Sequence, residues 1–186
     1  MDQEKWPRPW YKILYAPWRM KYIAGSERTS GCVFCEAPKH NDREALIVYR
    51  GELSYVILNK YPYNSGHVMV VPYRHVPTLE DLRLPELAEM GLLVKASMKA
   101  LRKAYNPHGF NIGVNVGEAA GAGIAGHVHI HILPRWRGDT NFTVIFSATK
   151  VLPEALEDTY EKLKKLVPEA VSEVAREEGI QWGTSS

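Results

Sequence analysis

The chain has 186 residues, 45% hydrophobic and 24% charged, with 23 basic side chains against 21 acidic ones and a formal net charge of +2. That size suits one domain with room for an extension, and the balanced composition excludes a disordered or collagenous chain. The charge is too small for a coat on long nucleic acid, and no apolar run reaches the roughly 18 residues of a membrane span; a cytoplasmic protein is expected, with neither a membrane nor long nucleic acid as partner.

From Trp6 to Ile23 the chain is crowded with aromatics (Trp6, Trp10, Tyr11, Tyr15, Trp18, Tyr22) and interrupted by Pro7, Pro9 and Pro17. Each proline removes a donor and restricts the residue before it, so residues 1–30 read as an arm that packs its rings on something rather than as one helix. The only cysteines, Cys32 and Cys35, follow. Two thiols three apart make a poor disulfide framework for a chain this size and read as half of a metal site or as a redox pair.

Three apolar runs then predict strands over 45–49, 55–58 and 67–71, punctuated by Gly51 and by Pro62, Asn64 and Gly66. From Thr78 the period changes: Leu87, Met90, Val94, Met98, Leu101 and Tyr105 recur at three and four, which predicts an amphipathic helix. Thr78 with Asp81 resembles a capping box, with Pro85 restarting the helix a turn later. Strands are predicted over 110–116, 127–133 and 142–146, with a loop of four glycines and four alanines between Gly117 and Gly126. A second amphipathic helix, broken or bent at Pro168, runs through Leu156, Tyr160, Leu163 and Val167. The sum is an α+β fold, an antiparallel sheet of about five strands with one long packed helix. Residues 31–147 form its catalytic domain, and 148–186 a C-terminal helical extension.

The segment His127-Val128-His129-Ile130-His131-Ile132-Leu133 carries three of the seven histidines. Side chains alternate faces along a strand, so the imidazoles share one face and Val128, Ile130 and Ile132 the other. Same-face neighbours lie about 6.6 Å apart and the outer pair about 13 Å, which disfavours one metal held by all three. A neutral imidazole is a competent nucleophile towards phosphorus, and flanking imidazoles and the amides of a glycine loop can absorb phosphate charge.

This segment is similar to the signature of the histidine-triad superfamily. So is Asn59 followed eight residues later by His67 in Ser65-Gly66-His67-Val68-Met69-Val70-Val71-Pro72. The resemblance implies His129 as nucleophile towards the α-phosphorus of a nucleotide, with His131 and His67 as supporting hydrogen-bond partners. It puts Asn59 near the ribose hydroxyls and Asn115 beside the phosphates. Gly123 and Ile124 stand where the better-known hydrolase branches carry Gln or Ser. The stretches Tyr15 to Ile23, Gly31 to Cys35 and Pro134 to Phe142 resemble most the bacterial and archaeal diadenosine tetraphosphate phosphorylases. Nucleotidyl transfer from a dinucleoside polyphosphate to inorganic phosphate is therefore expected, in a homodimer. The alternatives are hydrolysis of the same substrates and a non-catalytic, zinc-stabilised nucleotide-binding module.

For the cysteine pair, a tetrahedral zinc site needs two more ligands. His75 and His127 are the candidates, and the resemblance supports them; a rival pair, His127 with His129, would consume the nucleophile. Structural zinc on Cys32, Cys35, His75 and His127 is the expectation. Arg135 and Arg137 are either solvated or directed at distal phosphates, Trp136 is a base platform or a subunit contact, and His40 and His108 are surface residues.

Overall fold

A computed structural model describes residues 31–139 and 152–180; the aromatic arm and the predicted strand at 142–146 lie outside them. The described residues form a five-stranded antiparallel sheet with two long helices on one face. The elements are α1 (Val33–Glu36), α2 (Asp42–Ala45), β1 (Ile47–Arg50), β2 (Ser54–Leu58), β3 (Val68–Pro72), α3 (Leu84–Tyr105), β4 (Gly109–Val114), β5 (Ile130–Arg135) and α4 (Leu156–Glu178). Strand order is β1-β2-β3-β5-β4.

Period-two alternation divides the strands between two cores. Val56, Leu58, Val68, Val70 and Ile132 face α3 and α4, while Tyr55, Ile57, Met69 and Val71 face the other way onto Phe34 of α1. Both faces of β2 and β3 are buried, so their sequences read as unbroken apolar runs. In β5, Ile130 and Ile132 join the helix side. His131, paired with Met69, lies on the opposite face.

Several boundaries differ from the sequence reading. Ala45 ends α2 instead of opening a strand, and Leu46 takes a left-handed conformation (φ 62°) before β1 begins. Thr78 does donate to Asp81 (2.9 Å), yet it lies ahead of the helix. α3 starts at Leu84 with Pro85 in its first turn, and the Glu86 carboxylate accepts from the Arg83 amide (2.6 Å). Pro168 does not break α4, which continues to Glu178 and stops at left-handed Gly179. The proline forfeits one helical hydrogen bond, and the packing of Leu163, Val167, Ala170 and Val171 into the core offsets it. Ion pairs such as Lys99–Glu173 (2.9 Å) and Lys103–Glu169 (2.7 Å) link the rims of α3 and α4.

Gly66, just ahead of β3, has φ +75°, and a Cβ there would lie 2.9 Å from Leu101 Cδ2. Only glycine allows both the turn and this approach to α3. The turn delivers His67 to the sheet face away from the helices.

Candidate active site and metal centre

The hydrogen-bonded ladder of β5 begins at Ile130, three residues later than the predicted strand. His127 and His129 therefore precede it, although Val128 still donates to the Val76 carbonyl (2.8 Å) and stays in the helix-side core. The alternation survives without the ladder. His127 and His129 are buried and His131 half-buried, and the His129 and His131 ring centroids are 4.7 Å apart.

Hydrogen bonds assign the ring protons. The Tyr63 amide donates to His67 Nδ1 (3.2 Å), so His67 Nε2 carries the proton and donates to His131 Nδ1 (2.9 Å). His131 is left with its proton on Nε2. His129 Nδ1 donates to the His127 carbonyl (2.9 Å), which leaves the lone pair on Nε2. His127 Nε2 donates to the Pro72 carbonyl (2.8 Å), so its lone pair is on Nδ1. One row thus holds three kinds of imidazole: a relay pair, a nucleophile-ready ring and a ligand-ready ring.

The ligand-ready nitrogen lies 3.3 Å from Cys32 Sγ, 3.6 Å from Cys35 Sγ and 3.3 Å from His75 Nδ1. Cys35 Sγ is 3.3 Å from His75 Nδ1, and one donor atom from each of the four residues lies within 4.8 Å of the others. Two thiols and two imidazoles that close fit a single tetrahedral ion, whose bonds to them would be about 2.0 to 2.3 Å. Cys32 and Cys35 form no disulfide. Burial, then the neighbouring Cys32 sulfur, pushes the Cys35 thiol above its ordinary value, a tendency that a bound cation reverses. A helical turn does follow Cys32, but α1 is one turn long, and Cys32 and Cys35 face two imidazoles. His129 and His131 are not part of this group.

Burial, reinforced by the positive forms of His131 and His129, pushes His67 down to about 3; burial also lowers His129. An unfolded histidine near 6.5 takes up a proton that folded His67 refuses, so this contribution to stability is intact above about pH 6.5 and is lost as pH falls towards 3. Replacing His67 with Gln should flatten the fall in unfolding free energy between pH 6 and 4 by about 1 kcal/mol per pH unit. Urea titrations of both proteins at several pH values check this, and equal slopes would contradict it.

The other predicted site residues fall around this row. Asn59 follows β2; its amide donates to the His67 carbonyl (3.0 Å) and its Oδ1 accepts from the Tyr61 amide (2.9 Å). Asn115 follows β4 and reaches the Gly121 carbonyl (3.5 Å). Ile124 packs against the Phe34 core, its carbonyl accepts from the His127 amide (3.2 Å), and Gly123 is exposed beside it. Two amides of the glycine loop are used within it, Gly121 to the Glu118 carbonyl and Ala122 to the Gly117 carbonyl.

Arg135 is not a loose guanidinium. Its Nε and Nη2 bond both Asp139 oxygens (2.6 and 2.8 Å) and its Nη1 bonds Asn111 (2.6 Å). Trp136 donates from Nε1 to the Tyr105 carbonyl (3.3 Å) at the end of α3. His108 is exposed, as expected, and accepts from the Arg137 amide (2.9 Å). The sequence reading missed Phe34 and Tyr63, whose rings pack on the imidazoles at 4.7 Å (His129) and 4.9 Å (His67).

Comparison with known proteins gives a consistent picture. The family model described as "HIT domain" matches residues 40–138. A Mycobacterium tuberculosis protein named "AP-4-A phosphorylase" is 44% identical over 78% of this chain and 79% of its own length. A histidine triad nucleotide-binding protein from Sulfolobus tokodaii superposes with TM-score 0.59 at 31% identity, covering 82% of this chain and all of its own. A zinc-bound histidine triad family protein from Mycobacterium smegmatis gives 0.60 at 25% identity, with 80% and 98% coverage. With the family model spanning the whole imidazole row, this chain belongs to the HIT-domain family.

Proposed function

We propose that the protein is an enzyme that transfers a nucleotidyl group from a dinucleoside polyphosphate such as diadenosine tetraphosphate to inorganic phosphate, through His129. The observation that carries this reading is the His129 Nδ1 bond to the His127 carbonyl, which commits that nitrogen and leaves Nε2 to attack. The similarity to the M. tuberculosis protein supports the substrate class.

In the first step the Nε2 lone pair forms a bond to the α-phosphorus, and the bond from that phosphorus to its bridging oxygen breaks. From diadenosine tetraphosphate this gives an adenylyl-histidine and ATP. The His67–His131 pair presents a proton at His131 Nε2, where charge develops on the phosphate oxygens. A phosphate oxygen then attacks the same phosphorus, the nitrogen–phosphorus bond breaks, and ADP leaves with Nε2 restored. Asn59 serves the ribose hydroxyls, and Asn115 with the backbone around Gly123 and Ile124 serves the phosphates.

Cys32, Cys35, His75 and His127 would hold zinc, which supplies structural cross-linking of α1 to the residues ahead of β5 and no open coordination position for chemistry. A homodimer is supported by Ile112 and Val116, 44% and 42% exposed on and just beyond β4, the outermost described strand on that side. A cytoplasmic location is supported by the reduced cysteine pair; among the described residues no helix is long and apolar enough to cross a membrane. The family match over residues 40–138 supports a catalytic domain of 31–147, with 148–186 as its C-terminal extension.

Product analysis tests the acceptor. Diadenosine tetraphosphate should yield ADP and ATP only when inorganic phosphate is present. AMP appearing at the same rate with and without phosphate would replace phosphorolysis with hydrolysis.

A further inference from the structure

Tyr63 meets the relay pair twice. Its amide donates to His67 Nδ1 (3.2 Å), and its ring covers both imidazoles, with centroids 4.9 Å from His67 and 6.3 Å from His131, nearly parallel to the latter at 27°. We propose that Tyr63 is the positioning residue of the His67–His131 pair: its backbone sets the direction of their hydrogen bond and its ring holds the imidazoles in place.

The placement is built rather than incidental. Asn64, next in sequence and buried, donates to the Pro134 carbonyl (3.0 Å) and to Asp139 Oδ2 (2.9 Å). Asp139 is in turn held by Arg135. The turn carrying Tyr63 is thus bolted to β5, the strand that carries His131. On its other side, left-handed Gly66 presses the turn against Leu101 and Tyr105 of α3. Neither anchor involves the Tyr63 side chain, so the turn keeps its path when that side chain is changed.

The amide fixes which nitrogen of His67 donates, and through it which nitrogen of His131 accepts. A ring stacked near His131 at 27° restricts the rotation of that imidazole and so keeps the direction of its Nε2 proton. Tyr63 touches imidazoles and not the reacting atoms, so its effect should appear in the rate of phosphorus chemistry rather than in substrate affinity.

The inference rests on nucleotidyl transfer through His129, and the test separates the two. Tyr63→Phe and Tyr63→Leu both keep the amide, and at 41% exposure neither should unfold the domain. Tyr63→Phe should keep kcat within about two-fold, whereas Tyr63→Leu should lower kcat and the rate of adduct formation by about ten-fold with KM nearly unchanged. The ¹⁵N shifts of the His67 and His131 rings should move in Tyr63→Leu and stay in place in Tyr63→Phe. A Leu variant with wild-type kcat, or with raised KM and unchanged kcat, overturns the inference, the second result making Tyr63 a substrate platform. If His129→Ala still forms adduct and turns over, the transfer reading itself fails, and the ring shifts alone then decide whether Tyr63 orders the pair.

Discussion

His129→Ala is expected to form no covalent adduct with α-labelled substrate and to lose turnover by about 10,000-fold or more, the scale on which removal of an enzyme nucleophile is felt. The reason is in the ring protons. His67 accepts at Nδ1 and donates at Nε2; His131 accepts at Nδ1; the Nδ1 lone pair of His127 faces two thiols. Each of these lone pairs is already committed, whereas His129 bonds through Nδ1 and keeps its lone pair on Nε2, as the proposed attack on phosphorus requires. The wild-type label should be acid-labile and stable to base, as a nitrogen–phosphorus bond is. Because His129 is 5% exposed and packs on Phe34, alanine leaves a hole, so His129→Asn serves as a second variant that fills most of it. Both should retain bound metal, since His129 lies outside the ligand group. Wild-type turnover in a folded His129→Asn protein would overturn the assignment, and a label persisting in it would move the nucleophile elsewhere.

How much of this was legible beforehand depends on whether side chains or backbone carry the feature. The alternation of His127, His129 and His131 with Val128, Ile130 and Ile132 was readable because faces alternate along any extended chain. It held even where no ladder forms ahead of Ile130. The α3 pattern was readable for the same kind of reason, at a different period. The Cys-x-x-Cys pair with His75 and His127 was legible as a donor set and came together as one group. What sorts the imidazoles into roles was not legible: the acceptors are the carbonyls of Pro72 and His127, and one donor is the Tyr63 amide. Every residue has such groups, so their positions leave no mark in a sequence. The partners of Arg135 were hidden for a related reason, since Asp139 and Asn111 are set by the turn after β5 and by the β4–β5 register. Pro168 shows local propensity losing to packing, because α4 is held by its buried face across a position that would end an isolated helix.

Loss of the metal is expected to be the largest single effect on stability, and His75→Ala exposes it most cleanly. Its four donors come from three separate stretches: the α1 turn, the loop after β3 and the residues before β5. An ion there closes loops the sheet does not close. Without it, α1 is held mainly by the Phe34 ring in its small core and by the Tyr55 hydroxyl on the Phe34 carbonyl (2.7 Å). Of the four ligands His75 is exposed; truncating it opens no cavity in the core, and a fall in stability can be read as loss of the ion. The variant should purify without stoichiometric zinc and unfold on the order of 10 °C lower, corresponding to roughly 3–5 kcal/mol for a domain of this size. Cys32→Ser should do the same. Chelation of the wild-type protein should lower its melting temperature by a similar amount, and turnover should fall only as the fold is lost. Full zinc occupancy in both variants would remove these residues as ligands. Turnover lost on gentle chelation from a protein that stays folded would instead make the ion part of the chemistry. The bond from His129 to the His127 carbonyl gives the structural reading a further consequence. An ion there would grip the ring of the same residue whose carbonyl holds His129 Nδ1, so His75→Ala should also broaden or shift the His129 ring resonances at a temperature where the sheet is intact.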